Sequence, residues 1–320
     1  MKTVLRLKNV LTLSLLLVSF LVVVSCGVLG GLKAGSKTEH AAGDTAFRMV
    51  YVPGAEEFPA GTGDNQTASV NYSFWVGDSQ VTYGLWEKVY TWASAGSYSF
   101  GNSGVQGSDG GAATNSMHPV THVNWCDAAV WCNALTEWYN HVNGTEYKPV
   151  YTYNGEVLRD SGMSDETACS RVVQEPGADG FRLLTSDEWE LAARWRDNSV
   201  NTVPGYSNPW FTTGSSASGA EIPHHEEDAD TLYYAVYNAN SSDSTAEVRT
   251  KAPNSLGIYD MSGNVWEWCF DWHPDYEGTH RVLRGGSWNR IPFSLQIGLV
   301  YFYEQGAASD LTGFRIARTE

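Results

Sequence analysis

Residues 281–318 read RVLRGGSWNRIPFSLQIGLVYFYEQGAASDLTGFRIAR. The two ends are an ordered frame: paired glycines and Trp288 on one side, and Gly313-Phe314-Arg315 on the other. Residues 289–312 between them follow neither the period of a helix nor that of a strand, and mix Phe, Tyr, Arg, Pro and Gly. Tyr301, Phe302 and Tyr303 stand in succession. In an extended chain alternate side chains point to opposite faces, so the three cannot all enter one core.

Working outward, the rest of the chain alternates short ordered units with loops. FRMVYVPG, from Phe47, reads as a strand and turn. Thr82 and Asn124 are N-cap candidates for two helices, and Ala128, Trp131, Leu135 and Trp138 recur at helical spacing after the second. Thr185-Ser186-Asp187-Glu188 is a capping box, in which Thr185 and Glu188 each bond the other's backbone amide. His224 to Asp230 form an acidic run with a histidine pair, which reads as a solvated face more readily than as a metal site. With no internal repeat and no linker after residue 46, residues 46–320 read as one domain.

Lys2, Arg6 and Lys8 precede a largely apolar run from Val10 to Val24, which ends in Ser25-Cys26. The run suits a secretory leader and is short for a membrane span. It resembles a bacterial lipobox, which implies cleavage after residue 25 and a lipid on Cys26, with residues 26–45 as a flexible tether and the membrane met only through the acyl chains. The chain carries a formal charge of −16, and losing the basic leader makes the remainder more acidic. That excludes nucleic acid as a partner. Among the 5 cysteines, Cys126, Cys132, Cys169 and Cys269 follow no zinc spacing; an extracytoplasmic disulfide and small buried side chains both remain open.

Seven ordered motifs carry a family resemblance: MVYVPG, VTYGLWEKV, HPVTHVNWCDAAVWCN, GFRLLTSDEWELAAR, LGIYDMSGNVWEWCFDW, RVLRGGSW and GFRIAR. Together they resemble the formylglycine-generating-enzyme, or sulfatase-modifying-factor, family. The resemblance implies an α+β fold, a C-type-lectin-like architecture with little regular secondary structure. The family's enzymes bind copper through two cysteines shortly after the GGS motif; on this chain those positions hold Arg290 and Leu295. Neither offers the thiolate that Cu(I) requires, so no copper and no oxidase activity are expected. The family also carries calcium, for which the candidate ligands here are Asn264, Glu267 and the carbonyl of Val265, fewer than the 6–8 oxygens calcium takes.

The same frame resembles variable proteins of diversity-generating retroelements, in particular the treponemal variable surface lipoprotein type, whose hypervariable region lies between RGGSW and GFR. Mutagenised AAY codons cannot encode Gln or Glu, so Gln296, Glu304 and Gln305 would be fixed scaffold, with Leu295-Gln296-Ile297-Gly298 as a core strand. The expectation is a non-enzymatic, monomeric lipoprotein at the outer-membrane surface of the cell envelope. It would present residues 289–312 to a protein or glycan ligand. The contact candidates are Arg290, Ile291, Phe293, Ser294, Leu299, Tyr301, Phe302, Tyr303, Ser309, Asp310 and Leu311; Tyr, Phe and Arg dominate interaction hot spots. The rival expectations are a family enzyme with altered metal-dependent oxidase chemistry and a structural subunit of an envelope complex.

Overall fold

The computed structural model describes residues 31–108, 110, 114–162, 169–222 and 229–319. The leader and Cys26 lie outside the described residues, as does most of the acidic run. In chain order, β1 (Lys37–Ala42), β2 (Thr45–Val52) and β3 (Phe74–Gly77) come first. Helices α1 (Tyr83–Ser94) and α2 (Trp125–Asn143) follow, then β4 (Arg182–Leu183) and α3 (Ser186–Arg194). The C-terminal part supplies β5 (Trp266–Trp272), β6 (His280–Arg284), β7 (Tyr301–Glu304), β8 (Thr312–Gly313) and β9 (Ile316–Thr319). The fold is α+β, and much of the chain between these elements is turn and loop.

The three sequence-assigned caps are in place. Thr82 accepts from the Leu85 amide, and the pairs Asn124–Asp127 and Thr185–Glu188 form reciprocal capping boxes. Each satisfies amides that a helix start leaves without partners. Gly144 closes α2 with φ of 66°, a conformation glycine adopts without steric cost.

One sheet runs β1-β2-β3-β9-β4, so the last strand inserts between β3 and β4 and joins the two ends of the domain. β1 corrects the tether expectation. Residues 37–42 pair antiparallel with β2, from Lys37 opposite Val50 to Ala42 opposite Thr45, so the folded domain starts before residue 46. The segment read as polar tether because an edge strand exposes alternate residues; His40 and Ala42 turn inward, and His40 stacks on Phe47 at 5.1 Å.

The second sheet runs β7-β6-β5-β8. Between the sheets and helices, Trp86 and Trp131 stack at 5.6 Å and Phe314 of the GFR unit packs edge-on to both. Buried ion pairs lock this frame. Glu190 lies between Arg194 and Arg284 at 2.7 Å from each, Arg182 meets Glu188 at 2.7 Å, and Arg315 meets Glu267 at 2.6 Å. Burial alone would raise the Glu190 pKa, but Arg284 and Arg194 hold it below the usual carboxylate value. Cys126 and Cys169 form a disulfide, while Cys132 and Cys269 are buried thiols whose pKa burial pushes up.

Candidate recognition face

The segment 289–312 is irregular in outline, yet its backbone is tied to the scaffold along its length. Gly285 and Gly286 take φ of 93° and 82°, and a Cβ on Gly286 would meet the Ser294 carbonyl at 2.6 Å. That turn starts the segment. The Trp288 amide donates to the Asn264 carbonyl at 2.8 Å, and its indole N–H reaches the Asp310 carbonyl at 3.1 Å, joining the segment's two ends. The Arg290 carbonyl accepts from the Asn238 amide, and the Leu295 carbonyl from the Ser262 hydroxyl. Further on, the carbonyls of Gln305, Ser309 and Leu311 accept from the amides of Trp125, His122 and Trp266.

The middle of the segment is the tightest part. Ile297 and Gly298 donate to the carbonyls of Ser216 and Gly214 at 3.0 and 2.9 Å. The Arg284 guanidinium donates to the carbonyls of Ile297 and Leu299 while its other arm holds Glu190. A Cβ on Gly298 would lie 2.3 Å from the Gly61 backbone. Leu295, Gln296 and Ile297 are buried. The expected core strand is therefore a buried anchor without strand pairing: residues 292–295 form a 3-10 turn, and the backbone then bonds to a loop at 214–216.

The side chains behave differently from the backbone. Ile291 and Phe293 are 57% and 52% exposed. Arg290, Ser294, Leu299, Ser309, Asp310 and Leu311 are half-buried. β7 shows the alternation expected of three successive aromatics. Tyr301 stacks on Trp266 at 4.9 Å, and Tyr301 and Tyr303 pack against the core. Phe302 instead joins His273, Tyr276 and His280, with ring centroids 4.2, 4.9 and 5.5 Å away. Gln296 is buried as a fixed point should be, whereas Glu304 is exposed at the sheet edge and no scaffold contact holds its carboxylate among the described residues.

The copper positions contain no sulfur: Arg290 is half-buried at the segment's start, and Leu295 packs with Ala235 and Tyr237. The candidate calcium ligands divide. Asn264 bonds the backbone of Ala246, donating to its carbonyl and accepting from its amide. The Val265 carbonyl and Glu267 Oε1, with the carbonyls of Asp260 and Gly263, converge on Gln80 Nε2 at 3.0–3.2 Å. One amide nitrogen has two hydrogens for these four acceptors. Gln80 Oε1 and Asp260 Oδ1 are buried without hydrogen-bond partners. The Gln80 amide thus sits where a calcium held by these oxygens would have to lie, and Arg315 donates to both Glu267 oxygens and to the Asp260 carbonyl, so calcium would bind only by displacing the Gln80 amide. Gln80 and Asp260 escaped the sequence reading because most of the oxygens are backbone carbonyls.

Sequence reasoning also missed His273, Tyr276 and His280, whose only signal is the hairpin chemistry of His273-Pro274-Asp275 and Gly278. Beside them opens a cavity of about 600 Å³ walled by the start of α2, the Cys126–Cys169 disulfide, residues 278–280 and residues 304–306.

Comparison with known proteins agrees with this architecture. The chaperone protein LppX of Paenibacillus barcinonensis is 32% identical over 68% of this chain and 75% of its own length. Treponema denticola variable protein 1 has a similar solved structure, with a TM-score of 0.64, 28% identity, and coverage of 89% of this chain and 99% of that one. Formylglycine-generating enzyme of Streptomyces coelicolor is 28% identical over 53% of this chain, and inactive C-alpha-formylglycine-generating enzyme 2 of Bos taurus 29% identical over 43%. The chain spans less than half the length of those two relatives, 42% and 44%. The family thus includes both active and inactive members. The sulfatase-modifying factor enzyme 1-like domain matches residues 35–320, from β1 through the end of β9, and the chain belongs to that family.

Proposed function

We propose that this chain is a non-enzymatic surface lipoprotein whose residues 290–311 present exchangeable side chains to a ligand on a fixed backbone. The observation that carries this is the division of labour in the segment. Its carbonyls and amides bond to the scaffold from Trp288 to Leu311, while the side chains of Ile291 and Phe293 are more than half exposed. A backbone held by its own polar groups keeps its path when side chains change, as a display surface requires. Arg290 and Leu295 at the copper positions support a non-catalytic role, since neither binds Cu(I). Arg290, Ile291, Phe293, Ser294 and Phe302 are the leading contacts. Leu299, Tyr301, Tyr303 and Leu311 contribute their outer edges while packing inward. The leader sequence and Cys26 support a lipid anchor in the cell envelope.

Calcium would be held by Glu267 and the carbonyls of Asp260, Gly263 and Val265, in place of the Gln80 amide. Its part would be to neutralise converging oxygens beneath the frame.

A two-part experiment tests the reading. A library randomised at 290, 291, 293, 294 and 302 is expected to stay largely protease-resistant, while one randomised at 295–298 unfolds. The purified chain is expected to hold no stoichiometric copper or iron and to consume no oxygen with thiol peptides. Metal-dependent oxygen uptake, or collapse of the first library, contradicts the proposal.

A further inference from the structure

The cavity of about 600 Å³ lies at one end of the recognition face and is built from residues outside the exchangeable positions. Asn124, the cap of α2, Cys126 within it, Ser161, Cys169, His280 and Glu304 are in its wall, and among the described residues no Lys or Arg is. Two of its polar groups are already committed: Asn124 caps α2, and the Ser161 hydroxyl donates to Asp127. The Glu304 carboxylate is different. It is exposed, in no ion pair among the described residues, and set on β7 opposite His280. Nearby cations do not neutralise it. Arg281 is buried with its guanidinium 3.6 Å from the Trp125 ring centroid and 3.3 Å from that of Trp272, and Arg171, though next to Ser170, is not in the wall.

The rim adds to this. Outside the wall, the rings of Tyr276 and Phe302 lie 4.9 and 5.5 Å from that of His280 and are tilted to each other at 4.9 Å; Tyr276 is flanked by Asp275 and Glu277, both exposed. Aromatic faces beside unpaired carboxylates favour a desolvated cation, through ring quadrupole and charge together. The chain as a whole is acidic at −16, so a basic partner is also drawn in at long range.

We infer that this cavity is the constant pocket of the recognition face and takes a lysine or arginine side chain from a protein partner. The inference rests on the proposed recognition role and narrows its ligand to a basic protein segment. Glu304 pairs with the incoming cation, Tyr276 covers its stem, and the exchangeable side chains, Phe302 among them, select what lies on either side.

The test uses the full chain and a fluorescein-labelled octapeptide of alternating arginine and serine, read by fluorescence anisotropy. Glu304→Gln is expected to weaken binding at least about fivefold, and Tyr276→Ala by a similar factor. Glu56→Gln, which removes an exposed carboxylate outside the cavity wall, is the charge-matched control and should change binding less than about twofold. No binding, equal losses for Glu304→Gln and Glu56→Gln, or displacement of the peptide by a neutral dextran oligosaccharide overturns the inference. Such a failure leaves the display reading standing if natural variants still differ at 290–311; uniform variation along the gene sinks that reading instead.

Discussion

Single residues carry two of the account's sharper consequences. His40 on β1 is buried among Phe47, Tyr139 and Phe181, and burial, aided by Arg318, lowers its pKa from 6.5 to about 4. The unfolded chain therefore binds a proton there between pH 6.5 and 4 that the folded chain refuses. Stability from this group is complete above pH 6.5 and is lost as pH falls toward 4. His40→Phe should flatten that part of a plot of unfolding midpoint against pH, and an unchanged slope would show that His40 is not buried as described. Gln80 is the second case. If calcium displaces its amide, chelator lowers the unfolding midpoint by several degrees and added calcium restores it. A midpoint indifferent to chelator assigns the four oxygens to the Gln80 amide and, for two of them, the Arg315 guanidinium.

Elements explain what could be read in advance and what could not. Helices α1, α2 and α3 were legible because their caps are local: Thr82, Asn124 and Thr185 each act on the amide three residues on. The alternation at β7 was legible for the same reason. β1 was not, because an edge strand of polar residues has no periodic apolar signal, and its partner supplies the order. The anchor at 295–298 was partly legible. Its burial followed from Leu295 and Ile297, but its conformation depends on carbonyls at 214 and 216, distant in sequence and unmarked by any motif. The candidate site shows the same limit, since Gln80 and the 276–280 hairpin join it only through tertiary contacts. Ile297→Ala should cost about 2–5 kcal/mol by loss of buried volume. Ile291→Ala and Phe293→Ala, at half-exposed positions, should each cost less than about 1 kcal/mol. Urea unfolding of the three variants checks this, and equal losses would mean that the exposed positions are structural. Replacing the Cys126–Cys169 disulfide with alanines opens a loop with a sequence separation of 43, for an expected loss of about 4 kcal/mol.

At the scale of the molecule, the frame and the face are separable. Buried arginines bind the frame: Arg284 holds both Glu190 and the carbonyls at 297 and 299, so it links the family's core to the segment's path. That link allows a fold shared with enzymes to keep its architecture while the positions that would carry metal hold Arg290 and Leu295. On the proposed display role, side chains at 290–294, 299–303 and 309–311 are exchanged in nature while the anchor and frame are kept. Sequencing the 3′ end of the gene from independent isolates measures this. Amino-acid replacements are expected to concentrate in those codons, with 295–298 and 312–319 unchanged; replacements spread evenly along residues 35–320 would overturn the proposed role.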